Sequence, residues 1–223
     1  MNLARVYGSS LGKKYIMAIT GLLLFLFVIV HMLGNLQVYI GRDAMNAYAE
    51  LLKSKPGLLW TLRTGLFIVA VLHIVSALQL AAENQNARPE RYAAGKPIAT
   101  FASRTILVSG LIVLAFIVYH LMHFTLGVTN PEFLELHDRL KRHDVYQMVV
   151  DAFRNPWVSA FYIISMGLLC LHLSHGVCSS FQSLGIRRRA AAAALNRFAQ
   201  VAATLIFVGN CSIPLSIYLK VVK

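Results

Sequence analysis

Apolar positions gather in five long runs, roughly 15–39, 58–82, 105–127, 157–181 and 198–219, with polar residues concentrated between them. Each run is about as long as the ~20 residues that carry a helix across a bilayer. The pattern predicts an all-α membrane protein of five transmembrane helices. The whole of 1–223 would form one transmembrane domain, with little room for a soluble one. Lys13 and Lys14 ahead of the first run resemble the start of a signal peptide. That run is longer than the ~7–15 apolar residues of a signal sequence and is not followed by a small-residue cleavage site, so it reads as a retained helix.

The segment between the third and fourth runs, 128–156, is long for a loop. Within it Val145, Met148, Val149, Ala152 and Phe153 recur at helical spacing, opposite Asp144, Gln147, Asp151 and Arg154. This predicts a short helix lying at the membrane interface. Asn155-Pro156 would end it and start the fourth span, with Trp157 as interfacial anchor. His137 and His143 in this segment read as solvated. Its acids read as solvated surface, the alternative being quinone or proton traffic.

The first four runs echo one another. The first carries Thr20-Gly21 and then His31; the third carries Ser109-Gly110 and then His120, in each case ten residues after the glycine. The second and fourth match more loosely, Leu72-His73-Ile74 against Leu171-His172-Leu173. The echo predicts two related hairpins around a pseudo-two-fold axis, with the fifth helix outside the repeat. The glycines suit close helix packing or the approach of a flat macrocycle, and the two roles are compatible.

Composition strengthens the membrane reading. The chain is 57% hydrophobic and 13% charged, with a mean hydropathy of +0.63. A soluble domain would hold about twice that charged fraction. The net charge of +12 and pI near 10.0 come without a basic patch interleaved with aromatics, so juxtamembrane anchoring to lipid is expected rather than nucleic acid. Cys170, Cys178 and Cys211 lie in or beside apolar runs and read as buried packing. With the N-terminus cytoplasmic, the inside would hold Arg5, Lys13, Lys14, Arg88, Arg91, Lys96, Arg104, Arg187, Arg188, Arg189 and Arg197. The outside, with Arg42, Lys53, Lys55 and the Arg139–Arg142 cluster, is nearly as basic, but the inside loops are short, where the positive-inside rule applies best. A cytoplasmic N-terminus is therefore expected.

His31, His73, His120 and His172 each lie in a different one of the first four spans. Ionisable groups are costly in a bilayer, and there they default to function. Imidazole is also a standard axial ligand of haem iron. By helical rise, His31 lies roughly 25 Å beyond Lys14, and His120 about 24 Å beyond Arg104. Counted back from Glu83 and Gln182, His73 and His172 both sit about 15 Å from the cytoplasmic side. Two levels ~10 Å apart result. They pair His31 with His120 on the outer side and His73 with His172 on the inner, as two six-coordinate haems require. His123 and His175, one turn from His120 and His172, are the alternative ligands; the repeat and the depths favour His120 and His172. Without a C-x-x-C-H motif, the haems would be held non-covalently.

These residues resemble the dihaem cytochrome b anchor of succinate:quinone oxidoreductases, in the class where one five-helix chain carries both haems. The likeness rests on the four span histidines, Ser103-Arg104-Thr105, Val118-Tyr119-His120-Leu121, and Leu171-His172-Leu173-Ser174-His175-Gly176 followed by Phe181-Gln182-Ser183-Leu184-Gly185. It extends over about residues 10–215. It implies His31, His73, His120 and His172 as axial ligands of two b haems, and assembly with a flavoprotein and an iron–sulfur subunit on a bacterial-type cytoplasmic membrane. Some relatives that use menaquinone carry a glutamate two residues before the fourth ligand; here that place is Cys170, so the same proton path is not implied.

The chain shows no nucleophile–base pair, phosphate loop or flavin motif, so no catalysis of succinate by this chain alone is expected. Its part would be electron transfer between the iron–sulfur partner and menaquinone or another quinone. Lys14 and Arg104 are candidates for haem propionates, or for lipid headgroups. Quinone is expected near a membrane interface, either outside around Tyr48 and Glu50 or inside around Ser103 and Arg104, and Glu50 also reads as a solvated acid. The alternatives are the cytochrome b of another quinone-linked complex, or a haem-free transporter using histidine relays. Several such cytochromes place two histidines far apart on one helix, and no span here does.

Overall fold

The computed structural model describes residues 7–87, 105–186 and 189–223. Among them the chain forms helices α1 (Ser10–Asn35), α2 (Arg42–Lys53), α3 (Pro56–Asn86), α4 (Ile106–Phe124), α5 (Val145–Arg154), α6 (Pro156–Ser183) and α7 (Ala192–Tyr218). Five of these, α1, α3, α4, α6 and α7, are long and apolar enough to cross a membrane. The all-α, five-span architecture is therefore as predicted. Starts are set by local chemistry: Ser9 Oγ accepts the Gly12 N–H at 3.0 Å to cap α1, and Asn155 Oδ1 caps α6 ahead of Pro156.

The hairpins α1/α3 and α4/α6 each pack on themselves, and α1 also packs on α6. Between α3 and α4 contact is slight. The fifth span, α7, lies along α6 and touches α1, so the histidine-free helix buttresses the bundle. Phe25 and Met32 of α1 meet Leu173 and Val177 of α6 and Ala199, Ala203 and Ile206 of α7 in one buried cluster. Cys178 and Cys211 are buried and Cys170 half-buried, and none of the three forms a disulfide.

Two helices cover the end of the bundle where α1 stops. The predicted short helix is present as α5, but it is covered more widely than an interfacial helix with one wet face. Tyr146 and Val150 are buried along with Met148, Val149, Ala152 and Phe153. The cause is that α2, a polar helix, packs on α5 from one side while α6 and α7 pack on it from the bundle. Asn46, fully buried on α2, donates to Asp144 Oδ1 (2.9 Å) and Asp138 Oδ2 (3.2 Å) and accepts the Tyr146 N–H (3.0 Å). Arg142 joins Asp138 to Asp43, both at 2.7 Å. Asp144 is thus not a solvated acid: it is buried and caps α5 through the Gln147 N–H.

His143 also departs from the solvated reading. It is half-buried, donates Nε2–H to the Phe133 carbonyl at 3.0 Å, and leaves Nδ1 without a partner among the described residues. Burial, with Lys53 nearby, lowers its pKa from the ordinary value. His137 is exposed, as expected.

Candidate functional site

The inner level is built twice from the same parts. On α1, the Met17 carbonyl, Thr20 hydroxyl and Gly21 lie on one helical turn. His73 Nδ1 is 3.1 Å from the Met17 oxygen and 3.3 Å from Thr20 Oγ. On α4, Ser109 and Gly110 take the places of Thr20 and Gly21, and His172 Nδ1 is 3.3 Å from Ser109 Oγ. A carbonyl only accepts, so His73 Nδ1 carries the proton. The hydroxyls agree, because Thr20 donates to the Ile16 carbonyl at 2.6 Å and Ser109 to the Ile106 carbonyl at 3.0 Å, leaving their oxygens to accept. Both imidazoles therefore hold Nε2 as a bare lone pair, the form that binds a metal. The glycines let this happen. A Cβ on Gly21 would lie 3.1 Å from His73 Cε1, and one on Gly110 3.2 Å from His172 Cε1.

At the outer level the His31 and His120 rings face each other, 5.8 Å between centroids and at 90°. His31 stacks on Phe27. His120 lies among Phe116, Phe124 and Tyr162. The two levels are ten residues apart along α1, from Gly21 to His31, which is about 15 Å of helix. The ~10 Å counted from Lys14 and Glu83 separates the histidine backbones rather than the contacts on α1, and those reference points are near one level, since Lys13 pairs with Glu83. Side chains tilt toward the N-terminus of their own helix, so His31 leans inward and His73 outward.

The alternative ligands point elsewhere. His123 is 1% exposed and turned into Tyr162, Phe124 and Phe133, with Nδ1 3.0 Å from the Tyr162 hydroxyl. His175 Nε2 meets Ser179 Oγ at 3.0 Å.

The remaining candidates scatter. Lys14 is exposed; it is Lys13 that turns inward, buried and paired with Glu83, which also accepts from Ser10 at 2.7 Å. Lys13, Met17, Thr20 and Gly21 fall on one face of α1 by i, i+4, i+7, i+8 spacing, a signal present in the sequence. Tyr48 packs on Gly34, one turn beyond His31, whereas Glu50 is exposed on α2 near Lys53. Ser103, Arg104 and the basic run Arg88, Arg91, Lys96, Arg187 and Arg188 lie outside the described residues.

Scans against protein-family models, curated proteins and solved structures return no match to this chain. The donor set itself fits haem iron. It offers four imidazoles inside apolar spans, with His31 and His120 at 5.8 Å between ring centroids and the tautomers of His73 and His172 fixed by protein acceptors.

Proposed function

We propose that this chain is a dihaem cytochrome b that anchors a succinate:quinone oxidoreductase in the membrane. The observation that supports it most is the doubled inner cradle, in which a hydroxyl of one turn meets each histidine at Nδ1 and the next residue, a glycine, gives its ring room. His73 and His172 would hold one haem, and His31 and His120 the other. When bound, the haems would supply one-electron carriers between an iron–sulfur partner and membrane quinone.

The protein's own part is to hold and insulate. Thr20, Met17 and Ser109 orient the inner ligands, and Gly21 and Gly110 let the rings approach the neighbouring helices. Phe116, Phe124 and Tyr162 pack around His120 and would keep water from that ligand, which strengthens electrostatic contacts there. For quinone, the outer candidate would rest on Tyr48, which packs within a turn of His31, and not on Glu50, which is exposed on α2. The flavoprotein and iron–sulfur subunits would dock on the cytoplasmic face.

A pyridine haemochrome spectrum of the purified protein tests the reading. Two b-type haems per chain, low-spin in the native spectrum, are expected. A haem-free protein would overturn the proposal and favour a histidine-relay transporter.

A further inference from the structure

Tyr162 of α6 stands between two imidazoles of α4. Its hydroxyl is 3.0 Å from His123 Nδ1 and 3.5 Å from His120 Nδ1. The ring is 6% exposed and boxed in by Phe116, Tyr119, Phe124, Phe153 and Phe161, with centroids 5.0–6.1 Å away. Such packing leaves the hydroxyl little freedom to move.

Resting on the haem reading, we infer that Tyr162 is a positioning residue: it selects His120 over His123 as the α4 ligand and sets that ligand's donor strength. The protons decide it. An imidazole that binds metal through Nε2 carries its proton on Nδ1, and a phenol can accept one hydrogen bond while donating another. His120 then donates Nδ1–H to the Tyr162 oxygen, and the Tyr162 O–H donates to His123 Nδ1. His123 is left with its proton on Nε2, the wrong tautomer for a ligand at that atom, and buried on the far side of the tyrosine. His120, whose ring faces His31, is left with Nε2 bare. Each proton in the chain is used once.

An acceptor on Nδ1–H also raises the basicity of the ligating nitrogen. This favours oxidised iron and holds the couple at lower potential. Neither Thr20 nor Ser109 plays this part for the outer pair, because both sit at the inner level.

Redox titration of the purified, haem-containing protein, followed optically, reads the effect. Tyr162→Phe keeps the ring and removes the hydroxyl. Unchanged haem content is expected, with one couple moved to higher potential and the other unmoved. His123→Leu removes the acceptor at the far end of the chain. The same couple is expected to move in the same direction by a smaller amount, with both haems retained, and this variant decides the matter if Tyr162→Phe does not fold. Two unmoved couples at full haem content overturn the role of Tyr162 alone. Loss of a haem in His123→Leu alongside retention of both in His120→Leu overturns it by making His123 the ligand. A wild-type protein without haem overturns the haem reading and this role together.

Discussion

One methyl group probes the inner cradle. A Cβ at Gly21 or Gly110 would press on a histidine ring at 3.1 or 3.2 Å, and each ring is tied at Nδ1 to the same turn it leans on. On the haem reading, Gly21→Ala and Gly110→Ala should each reduce haem from two per chain to one, measured by haemochrome. This loss should occur although alanine is favoured over glycine by about 1 kcal/mol in a helix interior. No atom of the described residues lies within 4 Å of where a Cβ on Gly65 would sit, so Gly65→Ala should keep full haem content and gain about 0.5–1 kcal/mol of stability. The sequence displays the four histidines and the two hydroxyl–glycine pairs, because spacing along one helix is visible there. What each glycine faces is not, since that depends on the neighbouring helix. Tyr162 was illegible for the same reason: in sequence it is one aromatic in an apolar run, and its partners lie 39 and 42 residues away on α4.

Among the elements, the five spans were legible because membrane helices are written in composition, while their ends were not. Glu83, Asn84, Gln85 and Asn86 continue α3 beyond its apolar run, since hydropathy marks where lipid stops rather than where the helix stops. Helix α2 was missed for its polarity, although Met45, Tyr48, Ala49 and Leu52 follow an i, i+3, i+4, i+7 spacing and Asp43 and Lys53 suit the two ends of the dipole. Its attachment to α5 turns on Asn46. Asn46→Leu strands the Tyr146 N–H and should cost about 1–3 kcal/mol in denaturant unfolding. It should also move the acid response. Burial opposes ionisation of Asp138, but hydrogen bonds from Arg142, Asn46 and the Leu140 N–H hold its pKa down to about 2, below the ordinary 3.8. The stabilisation is therefore complete above the ordinary value and lost as pH falls from there toward 2. With one donor removed, release of 42–53, followed by hydrogen exchange, should begin at higher pH than in the wild type. An unchanged onset would separate Asn46 from the Asp138 network.

For the whole molecule, the span count gives a multi-pass membrane protein, and the orientation rests on the positive-inside rule. A probe cysteine in 130–143, labelled on intact cells with a membrane-impermeant reagent, should react, and one in 86–98 should not; the reverse pattern would invert the topology and move partner docking to the other face. The doubled cradle also bears on how such a chain is made. Thr20, Met17 and Gly21 meet His73 entirely within the first hairpin, and Ser109 and Gly110 meet His172 entirely within the second. Neither hairpin needs the other to fix the tautomer of its own histidine. A chain delivered N-terminus first into the membrane thus has one finished half-site while the ribosome is still making the other, and the pair is completed by docking two prepared halves rather than by sorting eight histidines among themselves.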